Sequence, residues 1–403
     1  MRARSVIGIV LAVVIIAALV QWFRPLPPVS IQPARPTAAF PGTPPNLPWP
    51  AGIQAAIDVP NVGPLGTRGP TAAAPIGSVA KVMTALLVLK KHPLGLYANG
   101  PAVAITAADV AAYRADLAGN QSVMPVSAGE KLSERILLEG LLVPSANNVA
   151  NILATWMSGS TTAFVSQMNA QAKSLGLSNT HYADVSGLSP NTVSTASDQV
   201  KLAEIAMKIP TFAQIVAMPQ MNVPGFGLVY NYNSLVGHDG IIGVKTGSTT
   251  AGGASFIWAG QRTVGSQTLT IFGGLLGESP TTSTTSQLTL ALNAGRALLD
   301  AAGKAVRSAT VVRTGQTVGE LSAPWAPSVP VVAVKPVMAL GWGGLPIRMT
   351  LKTTLPKKAS SGVAAHTRIG TLTVTVGHQT FAVPVETSGA LPAPSASWRM
   401  KRL

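Results

Sequence analysis

Pro75-Ile76-Gly77-Ser78-Val79-Ala80-Lys81-Val82-Met83-Thr84 sets a serine at the start of a long apolar run, with a lysine three residues on. Residues i and i+3 share a helix face, so the Ser78 hydroxyl and the Lys81 amine can meet without a distant partner. A serine is a poor nucleophile until a base takes its proton. A lysine is such a base only when its pKa falls, which burial or a second nearby cation brings about. Val79, Val82, Met83, Ala85, Leu86 and Leu87 supply apolar surroundings. A helix N-terminus would also offer Ser78 backbone N–H groups that favour a developing oxyanion. Alone the pair is weak: about one Ser-x-x-Lys arises by chance in a chain of this size, and an N-terminal serine with a solvated lysine reads the same way.

Two later stretches change its weight. In Val143-Pro144-Ser145-Ala146-Asn147-Asn148, Pro144 ends one apolar helical pattern and Ser145 falls on a sharp loop before the next. By itself this is equally a loop with a helix N-cap. Asp239-Gly240-Ile241-Ile242-Gly243-Val244-Lys245-Thr246-Gly247-Ser248 reads as a strand, followed by strand patterns at Ala254 to Trp258 and Leu269 to Phe272. Gly247 would let a ligand backbone approach closely. The bland alternative is an exposed strand end carrying a lysine.

Around these lie a hairpin at Gln54 to Val59 and Gly63 to Thr67, and helices over Thr106 to Leu117, Leu132 to Leu142, Asn147 to Met157, Thr161 to Leu175 and Ser286 to Ala305. Thr106 with Asp109 three residues on reads as a capping box. The chain has 403 residues, 47% hydrophobic and 11% charged, which excludes a disordered or coiled-coil protein and leaves room for two domains and an anchor. It has no cysteine, which excludes disulfides and thiolate metal sites. The histidines, His92, His181, His238, His366 and His378, are scattered without metal-ligand spacing. No metal and no cofactor are expected.

Residues 1–23 read as an export signal. Arg2 and Arg4 precede an uncharged run from Val6 to Val20, and Trp22 suits the outer membrane interface. No Ala-x-Ala site follows, which favours an uncleaved signal-anchor over a cleaved signal peptide. Residues 24–50 are rich in proline and predict an extended, semi-rigid linker. Residues 51–305 form the main domain. From residue 306 to 390, short strands alternate with Gly and Pro, at Thr310 to Thr314, Val329 to Val334, Pro346 to Thr353, Gly370 to Val376 and Thr380 to Val385, which predicts a small β-sandwich. A basic tail, 391–403, is too short for a helical anchor but could touch a surface. Residues 304–403 hold twelve Lys and Arg against two Asp and Glu, a net of +10, whereas residues 51–303 net +1. This module therefore suits anionic wall polymers or lipid headgroups. Nucleic acid, the usual partner of a basic protein, fits poorly with export.

Ser78-x-x-Lys81, Ser145-x-Asn147 and Lys245-Thr246-Gly247 in that order make up the motif set of the penicillin-recognising serine enzymes. The chain closely resembles the D-alanyl-D-alanine carboxypeptidases among the low-molecular-mass penicillin-binding proteins, peptidase family S11, from about Gln54 to Ala305. Further similar stretches are Gly129-Glu130-Lys131-Leu132-Ser133, Phe164 to Asn169, Leu175-Gly176, Ser186-Gly187-Leu188 and Ser194 to Asp198.

The resemblance implies an α/β (α+β) fold: a five-stranded antiparallel sheet with flanking helices, an all-helical lobe, and the three motifs in the cleft between them. It implies that Ser78 attacks the carbonyl between two terminal D-alanines of a peptidoglycan stem peptide, that Lys81 is its base, and that Ser145 and Asn147 relay a proton and orient the substrate. Lys245 supplies positive charge, Thr246 meets the substrate carboxylate, and the N–H groups of Ser78 and Ser248 form an oxyanion hole beside Gly247. β-Lactams would then be inhibitors. Two positions depart from the family pattern: Asn148 stands where an aspartate is usual, and Ser248 where an aromatic or histidine often follows. The nearest rival is a class A β-lactamase, which needs a glutamate between the second and third motifs. Only Glu204 lies there, and no Glu-x-x-x-Asn surrounds it. A non-catalytic wall-binding protein on the same fold is opposed by the intact motif residues.

Overall fold

The computed structural model describes residues 2–34, 37–249, 252–278 and 283–402. The chain forms two compact units, Pro45–Val306, and Met1–Pro44 together with Arg307–Leu403.

The sheet of the first unit is antiparallel and five-stranded, in the order Ile241–Thr249, Gly253–Val264, Gln267–Glu278, Gln54–Val59 and Gly63–Arg68. Its second strand is buried from Gly253 to Gly260, because helices cover both faces. Helix Thr284–Ala305 lies against Phe256 and Trp258 at Gly295, and against Gly260 through Leu299. Helix Ala196–Ala206 reaches the sheet through Val200, beside Gly274. The hairpin read at Gln54 to Thr67 is present, and the five-stranded antiparallel sheet is the one the family resemblance implies.

The helical lobe contains Lys81–Lys91, Glu134–Leu142, Asn147–Ser158 and Thr161–Ser174. Leu86, Leu137, Leu138, Leu141, Val149, Leu153 and Phe164 form part of one buried cluster there. Full burial of each such side chain contributes roughly 1.5–3 kcal/mol. The capping box on Ala107–Ala118 is present in both directions between Thr106 and Asp109. One helix start shifts: Lys131–Ser133 is a strand paired with Ala102–Ala104, so Leu132 is not helical. Ser133 caps the helix instead, accepting from the Ile136 N–H at 3.3 Å.

The second unit carries a seven-stranded antiparallel sheet and a two-stranded ribbon, Arg307–Val312 with Val337–Gly341. Val331, Ile369, Val374, Val376 and Val385 lie in its buried core. Strands Thr317–Ala323 and Val337–Gly341 escape the sequence reading, since the first is interrupted by Gly319 and the second directly follows Pro336. The proline-rich stretch 24–50 is not simply an extended spacer. Ser30–Pro33 pairs with Thr317–Ala323 at one edge of the sheet, and Thr37–Ala39 pairs with Pro346–Thr353 at the other. An edge strand is hydrogen-bonded on one side only, so proline is tolerated there. Phe40 then buries its ring over Gly341, with its N–H on the Leu345 carbonyl at 2.8 Å. Pro36 of the same stretch lies outside the described residues.

Helix Arg2–Phe23 contains an 18-residue window, Val6–Phe23, of mean hydropathy 2.8 with none of it buried, long and apolar enough to cross a membrane. The basic tail forms a six-residue helix, Ala396–Lys401, capped by Ser395.

Candidate active site

Ser78 sits in a short 3-10 turn, Gly77–Ala80, that runs directly into helix Lys81–Lys91. Two glycines bring other backbone onto it. Gly77 has φ +56°, and a Cβ there would stand 2.9 Å from the Ser248 nitrogen. A Cβ on Gly247 would stand 2.6 Å from the Ile76 carbonyl oxygen and 2.9 Å from the Ser78 nitrogen. What Gly247 admits is therefore the chain's own turn around Ser78 rather than only a ligand. The strand carrying Lys245, Thr246 and Ser248 is clamped against the N-terminal side of the nucleophile turn, and the N–H groups of Ser78 and Ser248 belong to these two touching segments.

Lys81 is fully buried. Its Nζ lies 2.7 Å from Ser78 Oγ, 2.6 Å from Asn147 Oδ1 and 3.1 Å from the Ser186 carbonyl oxygen. The Asn147 amide is oriented by its other end, which donates to Gln121 Oε1 at 2.8 Å. Asn147 Oδ1 and the Ser186 carbonyl can only accept. A neutral amine would spend its two hydrogens on them, leaving its lone pair for the Ser78 hydroxyl. Neutrality is favoured: burial, and next the charge of Lys245, hold Lys81 well below the usual lysine range, while Asp184 and Asp116 pull the other way.

Lys245 is buried as well, and burial pushes it down to about 7. Its Nζ donates to the Thr246 carbonyl at 3.0 Å. Ser145 has φ +63°, a conformation costly for a residue with a Cβ, and its buried Oγ finds no hydrogen-bond partner among the described residues. Unsatisfied buried hydroxyls are rare enough to need an explanation. Here Ser145 faces a cleft of about 720 Å³ that Ser78, Asn147, Thr246, Gly247 and Ser248 also line, so a bound molecule can supply the partner. All eight residues expected from the sequence, Ser78, Lys81, Ser145, Asn147, Lys245, Thr246, Gly247 and Ser248, converge on this one place.

Asn148 explains its own departure from the family pattern. Its Oδ1 accepts from the Met124 N–H at 3.0 Å and its Nδ2 donates to the Met124 carbonyl at 2.8 Å. A carboxylate could make only the first of these bonds. Glu204 does not line the cleft; burial and the neighbouring Asp58 raise its pKa to about 7.

Several residues here went unread in the sequence. Gln121 holds Asn147, and Tyr232 lines the cleft opposite Ser122. Asp184 gathers the loop that carries the Ser186 carbonyl. Its carboxylate accepts from Ser186 N–H at 3.2 Å, Ser186 Oγ at 2.8 Å, Leu188 N–H at 2.9 Å and Thr192 Oγ1 at 2.5 Å. The signal was the short Asp184-x-Ser186-Gly187 run, an Asx-type turn before a glycine.

Comparison with known proteins identifies the family. The family model for D-alanyl-D-alanine carboxypeptidase, peptidase family S11, matches residues 61–271. The chain belongs to that family. A D-alanyl-D-alanine carboxypeptidase of Mycobacterium tuberculosis is 37% identical over 205 residues, which are 49% of this chain and 66% of the relative. This chain thus spans just under two thirds of that protein. A D-alanyl-D-alanine carboxypeptidase of Streptomyces sp. (strain K15) is 33% identical over 240 residues, 55% of this chain and 79% of the relative. Among solved structures, penicillin binding protein 5 from Haemophilus influenzae aligns with a TM-score of 0.59 over 87% of this chain and 99% of its own, at 19% identity, a likeness of fold.

Proposed function

We propose that the protein is a serine-type D-alanyl-D-alanine carboxypeptidase that removes the terminal D-alanine from peptidoglycan stem pentapeptides. The observation that carries the reading is the buried Lys81 amine, 2.7 Å from Ser78 Oγ, with two acceptor-only partners for its hydrogens. Ser78 Oγ attacks the carbonyl carbon of the D-Ala–D-Ala bond while its proton passes to Lys81. The negative oxygen that forms is held by the Ser78 and Ser248 N–H groups, a contribution of about 10²–10³-fold per donor in comparable sites. Ser145 hands a proton to the departing nitrogen and recovers one from Lys81. The C–N bond breaks and D-alanine leaves. Water then attacks the Ser78 ester and frees Oγ. Asn147 orients the substrate and Lys81. Lys245 and Thr246 meet the terminal carboxylate, with Gly247 keeping their strand against Ser78.

In this reading residues 1–23 anchor the chain and residues 51–305 are the catalytic domain at the outer face of the plasma membrane. The β-rich domain, 306–390, and tail, 391–403, present their positive charge to anionic wall polymers or lipid. β-Lactams act as slow-leaving substrate mimics.

The test is labelled penicillin followed by peptide mapping, with D-alanine release from a pentapeptide measured in parallel. Label on Ser78 together with D-alanine release is expected. A Ser78→Ala protein that still takes label, or rapid β-lactam turnover without D-alanine release, overturns the proposal.

A further inference from the structure

One exposed surface beside the cleft has no role in this chemistry. Strands Gln220–Val223 and Gly227–Tyr230 form a hairpin in which Leu228 faces Asn222 and Tyr230 faces Gln220 across the ladder. Met221 and Val223 are buried on the inner face. On the outer side stand Phe226 at 63% exposure, Leu228 at 55% and Tyr230 at 67%. Tyr232, 47% exposed, lies two residues beyond the strand's end. It also lines the active-site cleft, so the row leads from the hairpin tip to the cleft rim.

Large apolar side chains in a contiguous exposed row mark an interaction site. The chemistry of this one is specific. Residues 209–237 contain no Lys, Arg, Asp or Glu. The row is aromatic and aliphatic, bordered by the amides of Gln220 and Asn222, both exposed. A membrane-inserting tip would be expected to carry flanking cations, and an ionic partner would need charge. A neutral saccharide has what the row offers: an apolar C–H face to lie on rings, and a rim of hydroxyl and amide groups for side-chain amides.

We propose that this hairpin binds the saccharide backbone of the wall polymer from which the stem peptide hangs, and delivers the peptide to the adjoining cleft. The proposal rests on the carboxypeptidase reading for the cleft's substrate, but the surface can be tested without it.

The experiment uses the full chain in detergent and a Leu228→Ala/Tyr230→Ala variant, which leaves every cleft residue in place. D-alanine release is measured on a soluble pentapeptide and on polymeric peptidoglycan. Binding is measured by co-sedimentation with glycan strands stripped of peptide and, separately, with anionic vesicles. The variant should lose about tenfold in kcat/KM on the polymer, the scale expected for one or two ring-stacking contacts. It should keep its turnover of the pentapeptide, and it should lose sedimentation with bare glycan. Equal losses on both substrates would mean the hairpin only supports the cleft, and unchanged polymer turnover would mean it binds no glycan. Either result overturns the proposal, as does wild-type protein that sediments with vesicles but not with glycan. If wild-type protein releases no D-alanine from either substrate, the carboxypeptidase reading fails, and retained or absent sedimentation with bare glycan still decides the surface.

Discussion

The unit Pro45–Val306 keeps two lysines, Lys81 and Lys245, inside the protein. The segment Arg307–Leu403 carries eleven Lys and Arg and buries none of them. In the first unit the cost of taking an ammonium out of water appears as proton affinity: both lysines are pushed down, and one becomes fit to act as a base. In the second unit the same residue type stays solvated and sets a long-range field. Burial, rather than the identity of the side chain, separates a reactive amine from a surface cation. Under the proposed reaction, acylation of Ser78 by a β-lactam would report on the first unit directly.

The largest effect should come from Lys81→Arg. Arginine stays protonated at any working pH, so Ser78 would lose its base. The second-order acylation rate should fall by about 10²–10⁴-fold. The pH profile gives the sign for each lysine. Acylation by wild-type protein should rise with pH as Lys81 loses its proton, and fall again above about 7 as Lys245 loses the charge proposed for its role. Lys245→Arg should therefore remove the basic limb and leave the acid limb. Near wild-type acylation by Lys81→Arg would reduce Lys81 to a structural cation, and a surviving basic limb in Lys245→Arg would assign that limb to another group.

Asp184→Asn should come next. The asparagine keeps one acceptor oxygen where the carboxylate serves four donors, so the loop holding the Ser186 carbonyl against Lys81 should loosen. A fall of about tenfold in acylation rate is expected from misplacement of this kind. The charge matters separately. Asp184 favours the protonated form of Lys81, so its removal should move the acid limb to lower pH. A slower enzyme with an unmoved acid limb would make Asp184 a loop support without influence on the base.

These side chains also mark what a sequence can disclose. The Ser78–Lys81 pair was legible because helix spacing brings the two together, whereas Ser145, Asn147 and Lys245 were legible only through the family resemblance that the three ordered motifs carry. The strands at Ala254 to Trp258 and Leu269 to Phe272 and the hairpin from Gln54 were legible from their alternation and turn residues, whereas their assembly into one five-stranded sheet came from the family resemblance. Asp184, Gln121 and Tyr232 were not: they reach the site through loops, whose paths depend on packing elsewhere. The edge strands Ser30–Pro33 and Thr37–Ala39 hid for a different reason. Proline content describes an extended backbone equally well whether or not a neighbouring strand pairs with it.

The smallest effect on acylation, and the sharpest test of the contrast between the units, should come from Phe40→Ala. Phe40 belongs to the N-terminal stretch but is 1% exposed in the core of the β-rich unit. Its ring lies where a Cβ on Gly341 would come within 2.7 Å, and its backbone is bonded to Leu345 and Gly344 at 2.8 and 3.0 Å. Truncation leaves a cavity and should cost that unit about 3–5 kcal/mol. Phe40 belongs to one compact unit and Ser78 to the other, and changes at sites without shared partners usually act independently, so the acylation rate should stay within about twofold of wild type. Calorimetry of the full chain in detergent, with and without bound β-lactam, separates the two contributions. The transition that the β-lactam does not shift should move to lower temperature in the variant. The transition that it does shift should stay where it is. A variant that acylates as slowly as it is unstable would show that the β-rich unit holds the nucleophile turn in place, and the two units would then have to be treated as one.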